Sequence, residues 1–120
     1  MISLNPVKLG ASSTNSKMDM TSTIHWTAPK KMKPVAIVHD NKSGRVMNLQ
    51  ATAPGVQLYT SNTLVKKGKG GYVYQPYSAL CLETQGFPDA VNHPNFPSTI
   101  VTPENSYFHK MLFTFSIKKY

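Results

Sequence analysis

Cys81 is the only cysteine among the 120 residues, which excludes an internal disulfide framework and is compatible with a reducing compartment. Acidic residues are scarce too: five Asp plus Glu stand against thirteen Lys plus Arg, a formal net charge of +8. Such a balance suggests a nucleic acid or an anionic surface as partner. Arginine argues against it, because Arg45 is the only one and bidentate contacts to phosphate or guanine have almost no donor. The lysines are scattered, apart from Lys66, Lys67 and Lys69 and the tail Lys118–Lys119. The charge reads as a solvated basic face, and no nucleic-acid partner is expected. No stretch approaches the apolar length that spans a bilayer, so no membrane partner is expected either. The first twenty residues lack the hydrophobic block of a signal peptide, since Asn5, Pro6 and Lys8 interrupt the only apolar start. They are rich in Ser, Thr and Asn, as an organelle transit peptide is, but carry no Arg; a cytoplasmic location is the default expectation.

Helical periodicity is missing as well. No segment of useful length keeps it without a Pro or Gly, and nine Pro and seven Gly recur at short intervals. Charged residues make up only 15% of the chain, so the polar surface must come from Ser, Thr, Asn and Gln, which suits strands. A hydrophobic fraction of 40% is enough for one folded domain. The expected fold class is therefore all-β, a β-sandwich of short strands or part of one.

The punctuation divides the chain. Residues 1–30 read as a poorly structured lead, with Gly10 to Asn15 of loop composition, and residues 31–120 as the folded part. Val35–Val38 is a β-branched run, Asp40–Gly44 is dense in turn formers, and Arg45–Leu49 alternates; Val35–Met47 is expected to be a hairpin. After Pro54-Gly55, alternation places Val56, Leu58 and Thr60 on one face and Gln57, Tyr59 and Ser61 on the other. Lys66–Gly71 reads as a flexible loop. Further strands are expected at Tyr72–Gln75, Leu80–Thr84, Thr99–Val101 and Tyr107–Ile117, the last as a long central or near-central strand.

Several motifs carry little chemistry. Lys67-Gly68-Lys69-Gly70-Gly71 lacks the spacing and the following helix of a phosphate-binding loop. Asn41-Lys42-Ser43 is a glycosylation sequon without a secretory context. His25, His39, His93 and His109 are well separated and none pairs with another His or Cys at metal-ligand spacing, so no metal is expected. Cys81, between Leu80 and Leu82, reads as a small buried hydrophobe.

Glu83 stands out. It is a lone carboxylate near the end of an apolar strand, followed by a loop of Pro and aromatic residues through Pro97. A carboxylate partly buried at the mouth of a sandwich would be raised in proton affinity, as a general base near neutral pH needs. Equally, Glu83 could simply accept backbone hydrogen bonds from the Phe87–Asn92 loop.

The run Cys81-Leu82-Glu83-Thr84-Gln85-x-x-Pro88-Asp89-x-x-Asn92-x-Pro94-x-Phe96-Pro97 resembles the C-terminal signature of the galactose mutarotase (aldose 1-epimerase) family. Pro54 to Asn62 and Ser43 to Val46 resemble earlier motifs of the same family; order and spacing agree from about Pro34 to Ile117, closest to its plant members. The resemblance implies the C-terminal portion of that family's many-stranded supersandwich. It implies Glu83 as the catalytic base, Gln57 as a substrate-binding residue on sugar hydroxyls, and a substrate such as galactose or glucose whose α and β anomers are interconverted. No cofactor is implied. Family members are much longer, and their acid histidine, a second histidine and a sugar-binding arginine lie in the part without a counterpart here. The chain therefore reads as a shortened form, inactive by itself, or alternatively as a non-catalytic carbohydrate-binding or regulatory relative. Asp19 could stand for the family's substrate-binding aspartate, but its neighbours do not match; nothing around His25 resembles the acid's motif. A third of a sandwich would leave strand edges unpaired, and these invite self-association.

Overall fold

A computed structural model describes residues 2–4, 22–25 and 31–118. Its strands, in chain order, are β1 (Ile2–Leu4), β2 (Ser22–His25), β3 (Lys33–His39), β4 (Arg45–Ala51), β5 (Gly55–Tyr59), β6 (Lys66–Lys67), β7 (Val73–Tyr74), β8 (Cys81–Gln85) and β9 (Met111–Ile117). Single 3-10 turns at Lys69–Gly71 and Ala90–Asn92 are the only helical elements among the described residues. The all-β expectation holds. Two of the strands, β1 and β2, fall within the N-terminal lead; the rest of that lead, Asp19 included, lies outside the described residues.

The hairpin expected at Val35–Met47 is β3 and β4, paired antiparallel from Lys33↔Ala51 to His39↔Val46. Its turn is built by Asp40. The carboxylate accepts hydrogen bonds from the backbone N–H of Lys42 (3.1 Å) and Ser43 (3.3 Å) and from the Ser43 hydroxyl. Gly44 closes the turn with its N–H on the Asp40 carbonyl at φ 71°, a left-handed conformation that glycine adopts without a Cβ penalty. A Cβ there would also lie 2.9 Å from the Lys118 carbonyl oxygen.

Antiparallel pairing gives one sheet in the order β1-β3-β4-β9 and a second in the order β2-β5-β8, with β6-β7 as a separate ribbon. The register slips between Pro34 and Ala36, so Val35 and Ala36 are both buried, contrary to strict alternation. They join Leu49 and Ala51 of the first sheet and Val56 of the second in one core, with Leu82 packed against it. The two sheets thus bury their facing sides as a sandwich does. Leu49 and Val56 are essentially without solvent contact, each worth roughly 1.5–3 kcal/mol of burial.

Four expectations are corrected. Thr99–Val101 forms no strand: it is a loop running over Gly86, where Thr99 is packed. The terminal strand starts only at Met111 and sits at the edge of its sheet rather than at the centre, because β4 pairs it on one side and no described strand pairs it on the other. Ser61 is buried rather than on the outer face of β5, since the chain leaves the strand there at φ 57° and turns inward. The segment expected as a flexible loop after Lys66 includes β6 and a 3-10 turn and pairs back onto Val73–Tyr74.

Candidate functional site

β5 and β8 pair in register, with Val56↔Thr84, Gln57↔Glu83, Leu58↔Leu82 and Tyr59↔Cys81. Directly opposed residues of an antiparallel pair project to the same side of the sheet, and successive residues alternate sides. Val56 and Leu58 are buried toward the core together with Thr84. Gln57, Glu83, Tyr59 and Cys81 consequently share the other face. Directly opposed residues in such a ladder have Cβ atoms about 4.5–5.5 Å apart, so one small polar molecule can touch Gln57 and Glu83 at once.

That face is open. Glu83 is exposed, not partly buried as its apolar neighbours suggested, because no described element covers this side of β8. Cys81 is exposed too, correcting its reading as a buried hydrophobe: alternation sends Leu82 inward and the cysteine outward. Gln57 is half-buried in the middle strand of the sheet, flanked by β2 on one side, where Thr23 is its register partner, and by β8 on the other.

The opposite side of β8 carries a polar cluster that sequence reasoning missed. Thr84 Oγ1 lies 2.8 Å from His109 Nε2, and the Tyr107 hydroxyl lies 3.1 Å from His109 Nδ1. A neutral imidazole satisfies both partners, donating at one nitrogen and accepting at the other. Lys110 anchors the same segment: its carbonyl accepts from the Thr52 N–H (3.0 Å) and its N–H donates to Thr52 Oγ1 (2.9 Å). The signal was 25 residues away in sequence and could not be seen without the fold. His109 is thereby held behind the sheet, on the side away from Glu83. His93 sits in the loop after β8 with Asp89 (3.3 Å) and is stacked near Phe96. No described contact joins a histidine to Glu83.

A cavity of about 160 Å³ lies past the end of β8, bounded by Pro54, Gln85, Gly86, Thr99, Ile100 and His109 among others. Gln85 shares the face of Glu83 two residues on, but neither Glu83 nor Gln57 lines this cavity. Among the described residues no group of three or more His, Cys, Asp or Glu could hold a metal ion, and no helix is long and apolar enough to cross a membrane.

Rat galactose mutarotase is 48% identical over 90 residues, which are 73% of this chain and 26% of that protein. Human galactose mutarotase is 50% identical over 84 residues, 68% of this chain and 25% of that protein. The chain thus spans about a quarter of the length of the curated relatives it matches. Among solved structures, the GalM/aldose epimerase homologue from C. elegans superposes with a TM-score of 0.73 at 28% identity, covering 84% of this chain and 31% of that one. The family model for aldose 1-epimerase matches residues 10–114. With residues 10–114 matched by the family model, close to half of the aligned residues shared with these relatives, and its fold shared with a solved homologue, the chain belongs to the aldose 1-epimerase family.

Proposed function

We propose that the outer face of β5 and β8 is the C-terminal portion of a sugar site, in which Glu83 acts as catalytic base and Gln57 binds substrate hydroxyls. The substrate is an aldohexose such as galactose or glucose, interconverted between its α and β anomers without a cofactor. The carboxylate takes the proton of the anomeric hydroxyl, an acid delivers a proton to the ring oxygen, and the bond from C1 to that oxygen breaks. The open aldehyde rotates about C1–C2 and recloses on its other face, the two protons moving back. This is general acid–base catalysis at two ends of one small molecule. The observation that carries the reading is the pairing of Gln57 with Glu83 on one accessible face.

Among the described residues no contact places a histidine at Glu83 to serve as that acid. His109 is committed to Thr84 and Tyr107 on the reverse of β8, so this chain by itself is expected to bind sugar and turn it over slowly or not at all. Polarimetry with freshly dissolved α-galactose tests this. General acids typically contribute about 10²–10⁴-fold, so the chain should fall short of a full-length family member by at least that order. A rate matching the full-length enzyme would show that the acid lies within these residues. The same observation supports a second reading, a carbohydrate-binding relative without catalysis, in which Glu83→Gln would leave the slow rate untouched. The exposed thiol of Cys81 suits a cytoplasmic setting, where thiols stay reduced.

A further inference from the structure

The positive charge of the chain is not spread evenly. No acidic residue lies between Asp40 and Glu83, and Lys66, Lys67 and Lys69 fall together in that stretch. All three belong to the ribbon of β6 and β7 and its turn, and all three are exposed. Among the described residues no carboxylate pairs with them; the ion pair of His93 with Asp89 lies elsewhere. The ribbon belongs to neither sheet. Its base is tied to the buried Ser61, whose carbonyl accepts from the N–H groups of Leu64 (3.3 Å) and Tyr77 (3.0 Å).

Register sets what surrounds the lysines. Lys66 opposes Tyr74 and Lys67 opposes Val73, so each side of the ribbon carries an ammonium group beside an aromatic or apolar one. The Tyr74 ring lies across Gly68, where a Cβ would collide with it, and meets the Tyr72 ring edge-on with centroids 5.2 Å apart. Lys69, Gly70 and Gly71 form the tip, both glycines at positive φ. Close to it, Tyr72 is 64% and Val65 61% exposed, and Val73 is exposed as well.

We propose that the tip of this ribbon binds the surface of an anionic phospholipid bilayer. Acidic head groups attract the three ammonium groups, the tyrosines settle at head-group level with their hydroxyls in water, and Val65 and Val73 enter the apolar boundary beneath. The earlier expectation of no membrane partner rested on the lack of a spanning segment, and a surface contact needs none. Single-stranded nucleic acid, the other polyanion, fits less well. The ribbon has no Arg to fork onto phosphate, Tyr74 has one side against Gly68, and the exposed valines gain nothing beside stacked bases. Each lysine near an acidic surface strengthens binding by about a factor of five, so the three together give roughly a hundredfold. Salt screens this attraction, which makes the contact reversible.

Co-sedimentation of the 120-residue chain with vesicles tests the proposal. The expected result is binding to phosphatidylcholine vesicles that contain phosphatidylserine, little to pure phosphatidylcholine, and release at high salt. Replacing Lys66, Lys67 and Lys69 together by Gln should weaken binding roughly a hundredfold. Replacing Lys31, Lys42 and Lys110 by Gln removes the same net charge elsewhere on the surface and should have a much smaller effect. Tyr72→Ser leaves the charge alone and should weaken binding about tenfold, as the loss of a partly inserted ring does. Equal binding to both kinds of vesicle, no binding to either, or equal losses in the two lysine triples would overturn the proposal. Tighter binding to a single-stranded RNA homopolymer than to the acidic vesicles at physiological salt would assign the ribbon to nucleic acid and overturn it as well.

Discussion

Gln57 and Glu83 are register partners across β5 and β8, the amide on the central strand and the carboxylate on the edge strand of the same three-stranded sheet. The relationship follows from the ladder alone. Val56, Leu58 and Leu82 supply the apolar side, so the residues between them must turn outward together. A slip of one residue would bury Glu83 and expose Leu82, which the core would not tolerate. The hydrophobic effect thus fixes where two polar side chains meet.

Thr84→Val tests the reverse side of the same strand. Valine keeps the shape of the buried threonine but leaves His109 Nε2 without its partner at 2.8 Å. Losing one partner of a part-buried pair costs about 1–3 kcal/mol, to be read from the midpoint of urea unfolding. Sugar affinity should be unchanged, since Thr84 does not reach the outer face.

Gly86 sits where the loop from Thr99 crosses the end of β8. A Cβ at that position would come within 2.6 Å of Thr99 Cγ2. Gly86→Ala should therefore destabilise the fold by about 1–3 kcal/mol through overpacking, and adding Thr99→Ala, which removes that methyl, should recover most of it. Additive losses in the double mutant would show that the two residues do not meet.

Asp40 gives the turn between β3 and β4 a pH dependence. The hydrogen bond from the Ser43 hydroxyl, then that from the Lys42 N–H, hold its carboxyl below the usual carboxylate value. A carboxylate with a lower pKa when folded contributes stability above its unfolded pKa, and that contribution is lost as pH falls through the folded value. The stability difference between the parent chain and Asp40→Asn should accordingly be largest near neutrality and vanish in acid, as denaturant titrations at several pH values would reveal.

The charge of +8 yields a prediction of weakness. Binding to a DNA duplex should be slight, fall steeply with added salt and show no sequence preference, as for a solvated basic face. Tight, sequence-selective binding at physiological salt, measured by fluorescence anisotropy, would point to a different function.

Much of this was legible in the sequence because it depends on local pattern. The β-branched run at Val35–Val38, the turn at Asp40–Gly44 and the alternation of Val56, Gln57 and Leu58 each specify their own conformation, and the structure has them as expected. Burial was less legible, because it depends on what covers a face. Cys81 lies in an apolar run yet is exposed, and the aromatic strand Met111–Ile117 reads as central yet lies at the edge of its sheet among the described strands. Alternation tells which residues share a side and not which side is closed. The link from Thr84 to His109 was invisible for a related reason: it joins residues whose proximity only the fold creates.

Whether the outer face of β5 and β8 takes the sugar is tested most directly by amide-resolved NMR titration with galactose. The predicted result is that shifts cluster on Gln57, Tyr59, Cys81 and Glu83, persist in Glu83→Gln, and weaken with the affinity in Gln57→Ala. Shifts confined to the cavity between Pro54 and His109, or none at all at saturating sugar, would contradict it.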